Sequence, residues 1–231
     1  MGKDIRIKGA DGEFGAYLAN PGSERGPGIV VIQEIFGVNA VMRAIADDFA
    51  ARGHFAIVPD LFWRLEPGVQ LTDKTDAEWK RAFELMGRFD QDKGVADIQA
   101  TLSHLRHLPG CSGRAGTVGY CLGGLLAFLS ATRTDSDASV GYYGVSIPEK
   151  LGESAKIKKP LMLHIAGKDQ FVPPEQQQKV KDGLRGNALV TIHVYPEMDH
   201  AFARVGGAHY DKANADLANG RTSTFFRQHL R

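Results

Sequence analysis

Val118-Gly119-Tyr120-Cys121-Leu122-Gly123-Gly124 constrains this chain more than any other stretch. It contains Gly-x-Cys-x-Gly, the nucleophile-elbow pattern with sulfur where serine is more usual. Arg114–Val118 before it is short and apolar enough for a buried strand, and Leu125–Leu129 after it reads as the start of a buried helix. A strand-to-helix turn this sharp leaves no room for side chains beside the nucleophile, so glycine is needed at both flanks. The turn would lift Cys121 above a sheet and aim helix-start N–H groups at it, which favours thiolate. Taken alone, the pattern is equally that of a buried structural cysteine opening a core helix. Partners elsewhere in the chain have to decide.

The rest of the chain supplies a setting for such a turn. Ile5–Lys8 and Ala16–Ala19 alternate around Asp11-Gly12, a signal for an antiparallel hairpin. Pro21 to Gly28 reads as a polar connection, and Gly28–Gln33 as a continuous apolar strand covered on both faces. Asn39 begins a helix to about Arg52, closed by Gly53, and Phe55–Pro59 is the next strand. Asp60 to Asp76 has no clear period, and a loop of this length is expected to serve as a substrate rim. Ala77–Phe89 and Gln91–His107 are helical by apolar spacing. Beyond the elbow, Ser139–Gly144, Pro160–Ala166 and Leu189–Tyr195 read as strands and Pro174–Leu184 as a helix. Ala208–His229 reads as a closing helix interrupted near Asn219-Gly220. Strands alternating with helices predict α/β: a mainly parallel, doubly wound sheet of about eight strands with helices on both faces. With no linker in sight, residues 1–231 are expected to form a single domain.

Composition removes several function classes. The chain has 231 residues, 43% of them hydrophobic, which suffices for a full core. With 28 basic and 27 acidic residues the net charge is +1, so there is no electrostatic footprint for nucleic acid. No run approaches the ~18 apolar residues of a membrane span, and the Met1–Arg6 segment is charged, without the apolar run expected of a signal segment. Two cysteines make neither a disulfide framework nor a metal site, and Cys111, in a Pro-Gly-Cys-Ser-Gly loop, reads as incidental. A reducing cytoplasm suits the chain.

In a doubly wound sheet, functional groups gather at the carboxyl ends of strands. Four predicted strand ends carry candidates: Glu34, Cys121, Asp169 and His200. Nucleophile, then acid, then histidine is the α/β-hydrolase order. His164 and His193 lie within strands, His54 at the wrong strand end, and His104, His107, His209 and His229 on predicted helices. His200 is therefore the candidate general base, with Asp169 fixing its tautomer. Asp199 is a rival acid, but adjacency to His200 makes the side-chain approach awkward. Glu34 would lie close to the elbow, where its charge opposes thiolate formation, so the cysteine is expected to rest as a thiol and ionise with substrate bound. The alternative for Glu34 is a solvent-facing loop residue. The amides of Ile35 and Leu122 occupy the two places where such a fold builds its oxyanion hole.

Together, Gln33-Glu34-Ile35-Phe36-Gly37, Gly119–Gly124, Gly141-Tyr142-Tyr143-Gly144, Gly167-Lys168-Asp169 and His200-Ala201-Phe202-x-Arg204 resemble the dienelactone hydrolase (carboxymethylenebutenolidase) family over nearly the whole chain. The resemblance implies a Cys121–His200–Asp169 triad with Glu34 switching on the thiol. It further implies hydrolysis of a dienelactone to maleylacetate, with no metal or cofactor, by a cytoplasmic monomer. Arg204 matches an arginine that binds the substrate carboxylate, and Phe36 and Tyr142 fall among the pocket residues. A second such arginine falls at Trp79, with Arg81 two positions along, and a pocket tyrosine falls at Phe83. Two residues are nearly half a helical turn, so Arg81 is not automatically a substitute. A serine beside the histidine falls at Ala201. These departures point to the same chemistry on a different or less polar small-molecule lactone or ester. A general carboxylesterase, thioesterase or small peptidase is the alternative within enzymes, and a non-catalytic binding protein the alternative outside them.

Overall fold

The computed structural model describes residues 2–23 and 25–231. Its elements in order are β1 (Lys3–Lys8), β2 (Glu13–Ala19), β3 (Gly26–Ile32), α1 (Ala40–Ala51), β4 (Phe55–Pro59), α2 (Asp76–Arg88), α3 (Gln91–Arg106), β5 (Cys111–Tyr120), α4 (Leu122–Arg133), β6 (Ser139–Tyr142), a 3₁₀ helix (Ile147–Lys156), β7 (Leu161–Ala166), α5 (Pro174–Gly183), β8 (Val190–Tyr195) and α6 (Lys212–His229). The strands form an eight-stranded sheet in the order β1-β2-β4-β3-β5-β6-β7-β8. The fold is thus α/β, as the strand–helix alternation predicts. Two compact units, 1–117 and 118–231, divide the chain.

In the first unit the predicted hairpin forms, with Lys3 opposite Leu18 and Lys8 opposite Glu13, and β2 runs antiparallel to β4. β3 lies parallel to β4, and its Ile29–Ile32 run is completely buried, as a strand covered on both faces requires. Each helix start is satisfied by a side chain: Asn39 accepts from the Met42 amide, Thr75 from Glu78, and Asp90 from Asp92 and Lys93. α1 presents Met42, Ala46, Phe49 and Ala50 to the core and packs on β2, β3 and β4. α3 covers β1, β3 and β4 through residues that include Val95, Ile98, Leu102 and Leu105.

In the second unit β6, β7 and β8 run parallel, Ser139 opposite Leu161 and Leu161 opposite Val190. α4 is buried from Leu122 through Thr132 and packs on β6. A helix hydrophobic all round belongs in a core, which is what the Leu125–Leu129 run predicts. Among the described residues no helix is long and apolar enough to cross a membrane.

Several expectations are corrected. The connection before β3 is shorter than predicted, because Gly26 already pairs with the Gly110 carbonyl at 3.1 Å. β5 begins at Cys111, so that residue opens a strand and does not lie in a loop. Ala208–Asp211 precedes the last helix, and α6 runs through Asn219-Gly220 without a break. The Asn219 side chain accepts the Tyr142 hydroxyl at 2.9 Å, with Ala218 and Thr222 buried on either side, so tertiary contacts override weak local propensity. The 3₁₀ helix was not anticipated: only Ile147 of its ten residues is buried, which leaves no apolar period to read.

Candidate active site

β5 ends at Tyr120 and α4 starts at Leu122, so Cys121 alone makes the turn, at φ 57° and ψ −116°. Such a conformation costs a non-glycine residue about 1–3 kcal/mol and persists only where its surroundings impose it. Here they do. The Cys121 amide donates to the Tyr142 carbonyl at 3.1 Å, and the Cys121 carbonyl accepts from Gly124 at 2.9 Å. A Cβ on Gly119 would stand 1.9 Å from the Gly123 carbonyl oxygen, and one on Gly124 would stand 2.6 Å from the Tyr142 oxygen. The elbow closes only with glycine at both positions. Leu122, at the start of α4, has an amide with no acceptor within the helix, one of the orphan donors of a helix N-terminus.

The acid and base candidates come from the loops after β7 and β8. The two loops meet through backbone bonds from Gly167 N to the Tyr195 carbonyl and from Lys168 N to the Met198 carbonyl, both 2.8 Å. A Cβ on Gly167 would lie 2.4 Å from the Pro196 oxygen, so this glycine permits the approach. The structure places Asp169, and not Asp199, against the His200 ring: Asp169 Oδ2 accepts from His200 Nδ1 at 2.9 Å. Asp169 Oδ1 accepts the Phe171 amide at 2.9 Å, which fixes the carboxylate plane. Both residues are about 4% exposed. Asp199 instead bonds the His200 backbone amide at 2.6 Å.

His200 is pushed up to about 10. Burial opposes this, but the charge of Cys121, then the hydrogen bond of Asp169, the hydrogen bond of Cys121 and the charge of Asp169, outweigh it. No described residue meets strict hydrogen-bond geometry at His200 Nε2, so the contact with Cys121 counts here chiefly through its charge. The ring is held by edge contacts with Tyr143 and Phe171, at centroid distances of 5.0 and 4.9 Å. Neither aromatic was singled out from the sequence for this task. Tyr143 could have been, since it lies inside the Gly141–Gly144 motif; in the structure it adopts a positive φ of 37°. Ala201 follows His200 at φ 63°, and the turn it makes returns the Arg204 amide to the Ala201 carbonyl at 2.9 Å. Arg204 is 7% exposed, an unusually deep position for a guanidinium.

Two sequence expectations fail in this unit. Tyr142 is not a pocket residue: its side chain is fully buried, with the hydroxyl bonded to Asn219 and, at 2.6 Å, to Thr222. It belongs to a core network in which His164 bonds Tyr195 at 2.8 Å and Thr222 at 3.0 Å. Burial first, then the charges of His193 and Arg221, hold His164 well below the usual imidazole range. His209 lies in a turn before α6 and not on a helix; in the first unit, likewise, His107 is the C-cap of α3.

The first unit carries the remaining candidates. Glu34 lies two residues past the end of β3 and is 1% exposed, which excludes the solvent-facing alternative. The Gln33 side chain donates to the Glu34 carbonyl at 3.3 Å and accepts the Leu61 amide at 3.0 Å, tying the loops after β3 and β4 together. Ile35 and Phe36 are buried with it. Residues 60–75 form an irregular segment, as expected, but a well-anchored one. Val38 N bonds the Val69 carbonyl at 3.0 Å, Leu71 N the Phe36 carbonyl at 2.9 Å, and Gly37 at φ 77° leaves space for this approach. Asp60 caps the segment through the Phe62 and Gly68 amides, and Asp97 receives Trp63 Nε1 and both terminal nitrogens of Arg64.

Phe36, Trp79 and Phe83 form a row, Phe36 edge-on to Trp79 at 5.0 Å and Trp79 tilted against Phe83 at 5.6 Å. Phe83 is 47% exposed, and the Trp79 indole is bonded to the Asp73 carbonyl. Arg81 is committed elsewhere, to Glu66 and to Glu84 at 3.1 Å. The structure therefore brings together three aromatic candidates and sets Arg81 in an exposed ion-pair cluster.

An α/β-hydrolase sheet with an elbow and a buried carboxylate–histidine pair defines the chain as a hydrolase of that class. The model of the Dienelactone hydrolase family matches residues 14–230, and the chain belongs to this family. A relative from Azospirillum brasilense, provisionally named carboxymethylenebutenolidase, is 56% identical over 232 residues, covering 98% of this chain and 99% of the relative. The carboxymethylenebutenolidase of Pseudomonas putida is 40% identical, covering 96% of this chain and 94% of the other. Among solved structures, a provisionally named dienelactone hydrolase from Klebsiella pneumoniae superposes with a TM-score of 0.88 at 27% identity, covering 99% of this chain and 98% of that one.

Proposed function

We propose that this protein hydrolyses a small enol lactone, or a related ester, through a cysteine acyl-enzyme formed by Cys121, His200 and Asp169. The observation that carries the reading is the buried His200–Asp169 pair at 2.9 Å, whose imidazole is raised by the charge of Cys121. Glu34 is proposed as the group that controls the thiol proton, a role that its burial suits. Once ionised, Cys121 Sγ attacks the acyl carbon, and the Ile35 and Leu122 amides stabilise the oxyanion. The ring C–O bond then breaks, and His200 delivers its proton to the departing oxygen. Water next attacks the thioester, His200 takes its proton, and the C–S bond breaks to release the acid and the Cys121 thiolate, which regains the proton that Glu34 took at the start. Asp169 holds the imidazole in the tautomer and orientation that both transfers need.

For the substrate, Arg204 is proposed to receive a carboxylate, which a planar fork does bidentately. Phe36, Trp79 and Phe83 are an apolar row where the family resemblance expects an arginine and a tyrosine, and this favours a less polar acyl or leaving group than that of dienelactone itself. Two free cysteines suit a reducing compartment. Turnover of dienelactone and of neutral aryl esters by wild type and Cys121→Ala tests the chemistry. The variant is expected to fold normally and lose turnover of every ester; undiminished turnover would sink the proposed nucleophile.

A further inference from the structure

The Asp169 and His200 loops are joined by a second carboxylate that the proposed mechanism does not use. Asp199 Oδ1 accepts two backbone amides at once, that of Gln170 at 3.1 Å and that of His200 at 2.6 Å. Gln170 follows the candidate acid directly, and His200 is the candidate base, so one oxygen ties the backbones of both. The other oxygen, Oδ2, meets His209 Nδ1 at 2.9 Å. Burial opposes ionisation of Asp199, yet the two amides and the charges of His209 and His200 hold its carboxyl below the usual range. It therefore stays a carboxylate with both oxygens occupied.

We propose that Asp199 and His209 form a loop clamp, in which Asp199 is a positioning residue that fixes the separation of Asp169 and His200. The physical case is one of leverage. The Asp169–His200 bond spans two loops whose other ties, the Gly167–Tyr195 and Lys168–Met198 backbone bonds and the exposed Lys168–Glu197 ion pair, all lie before Asp169 and His200 in the chain. Ala201, next in the chain, sits at φ 63°, a strained conformation that needs outside support. A charged acceptor shared by the two amides supplies that support, since hydrogen bonds to an ionised acceptor are stronger than neutral ones. His209 sits on the turn that leads into α6 and keeps the carboxylate from rotating away. The clamp touches neither substrate nor the reacting atoms. It acts through His200.

This inference rests on the proposed triad for its effect on turnover, but not for its effect on His200 itself, and the test separates the two. Asp199→Ala, Asp199→Asn and His209→Gln are compared with wild type in steady-state kinetics and in proton NMR of the His200 Nδ1–H. The amide of Asp199→Asn can still accept on one oxygen, but it presents no second acceptor to His209. The expected order of loss in kcat is Asp199→Ala, at about tenfold or more, then Asp199→Asn, then His209→Gln, with KM little changed, as a small misplacement of reacting groups produces. The downfield His200 Nδ1–H signal is expected to broaden or shift in the same order. Wild-type kcat and an unshifted signal in all three variants would overturn the clamp. A shifted signal with unchanged kcat would support the clamp and count against His200 as the base. If Asp199→Ala does not fold, the other two variants decide by the same readouts.

Discussion

At the scale of single residues, the His200 proton is the quantity on which the proposed chemistry turns. Imidazole in water loses it near 6.5, and a buried one sooner, but here it is retained to about 10. The charge of Cys121, then the hydrogen bond and charge of Asp169, hold that proton against the cost of burial. Because the folded value lies above the unfolded one, the stability this proton brings is complete below about pH 6.5 and is lost as pH rises through about 10. Turnover should follow the upper edge. Leaving-group protonation by His200 fails once the imidazole of the free enzyme is neutral, so kcat/KM is expected to fall above about pH 10 and the fold to weaken over the same interval. A pH profile of kcat/KM read beside a pH series of urea midpoints checks this; a decline in kcat/KM complete by pH 8 would contradict it. Sequence reasoning reached the members of this pair by strand-end position. The choice between Asp169 and Asp199 rested on a steric argument, and the geometry shows its basis: a carboxylate next in sequence to a histidine reaches the backbone amide more readily than the ring.

At the scale of elements, the elbow joins a strand and a helix with one strained residue between them. Gly119 is the least replaceable of its neighbours, since a Cβ there would be 1.9 Å from a carbonyl of the helix it introduces. Neither β5 nor α4 can shift to relieve this contact, because α4 is buried along nearly its whole length. Gly119→Ala is expected to destabilise the protein by about 3 kcal/mol or more, the upper range for overpacking, with turnover lost even where the fold survives. Chemical denaturation decides, and a loss below about 1 kcal/mol would show that the turn has slack. The start of α1 and the hairpin were legible because Asn39 and Asp11-Gly12 act over three or four residues, and α2 and α3 were legible from apolar spacing. Element ends were less so. α6 continues past Asn219-Gly220 because Tyr142, 77 residues earlier, engages Asn219.

At the scale of the whole molecule, a formal charge of +1 gives no long-range field to draw in an acidic substrate, so recognition of a carboxylate falls to local groups. Arg81 is tied to Glu66 and Glu84, whereas Arg204 is held in the interior. Arg204→Ala is therefore expected to raise KM about 10- to 100-fold for carboxylate-bearing lactones, the loss of one charged hydrogen-bonding partner, while neutral aryl esters change little. Equal effects on both substrate classes would refute the assignment. Family membership, the strand–helix order and the positions of Cys121, Asp169, His200 and Glu34 are written in the sequence, because turns, periodicity and short motifs are local. What only the tertiary structure decided is which groups meet. It buried Tyr142 among Asn219, Thr222 and His164 and paired Arg81 with nearby acids. It also gave Asp199 two amides, from Gln170 and His200, to hold at once. The Asp199 contact joins segments 29 residues apart and the Tyr142 network joins residues 77 and 80 apart, separations that no local pattern encodes.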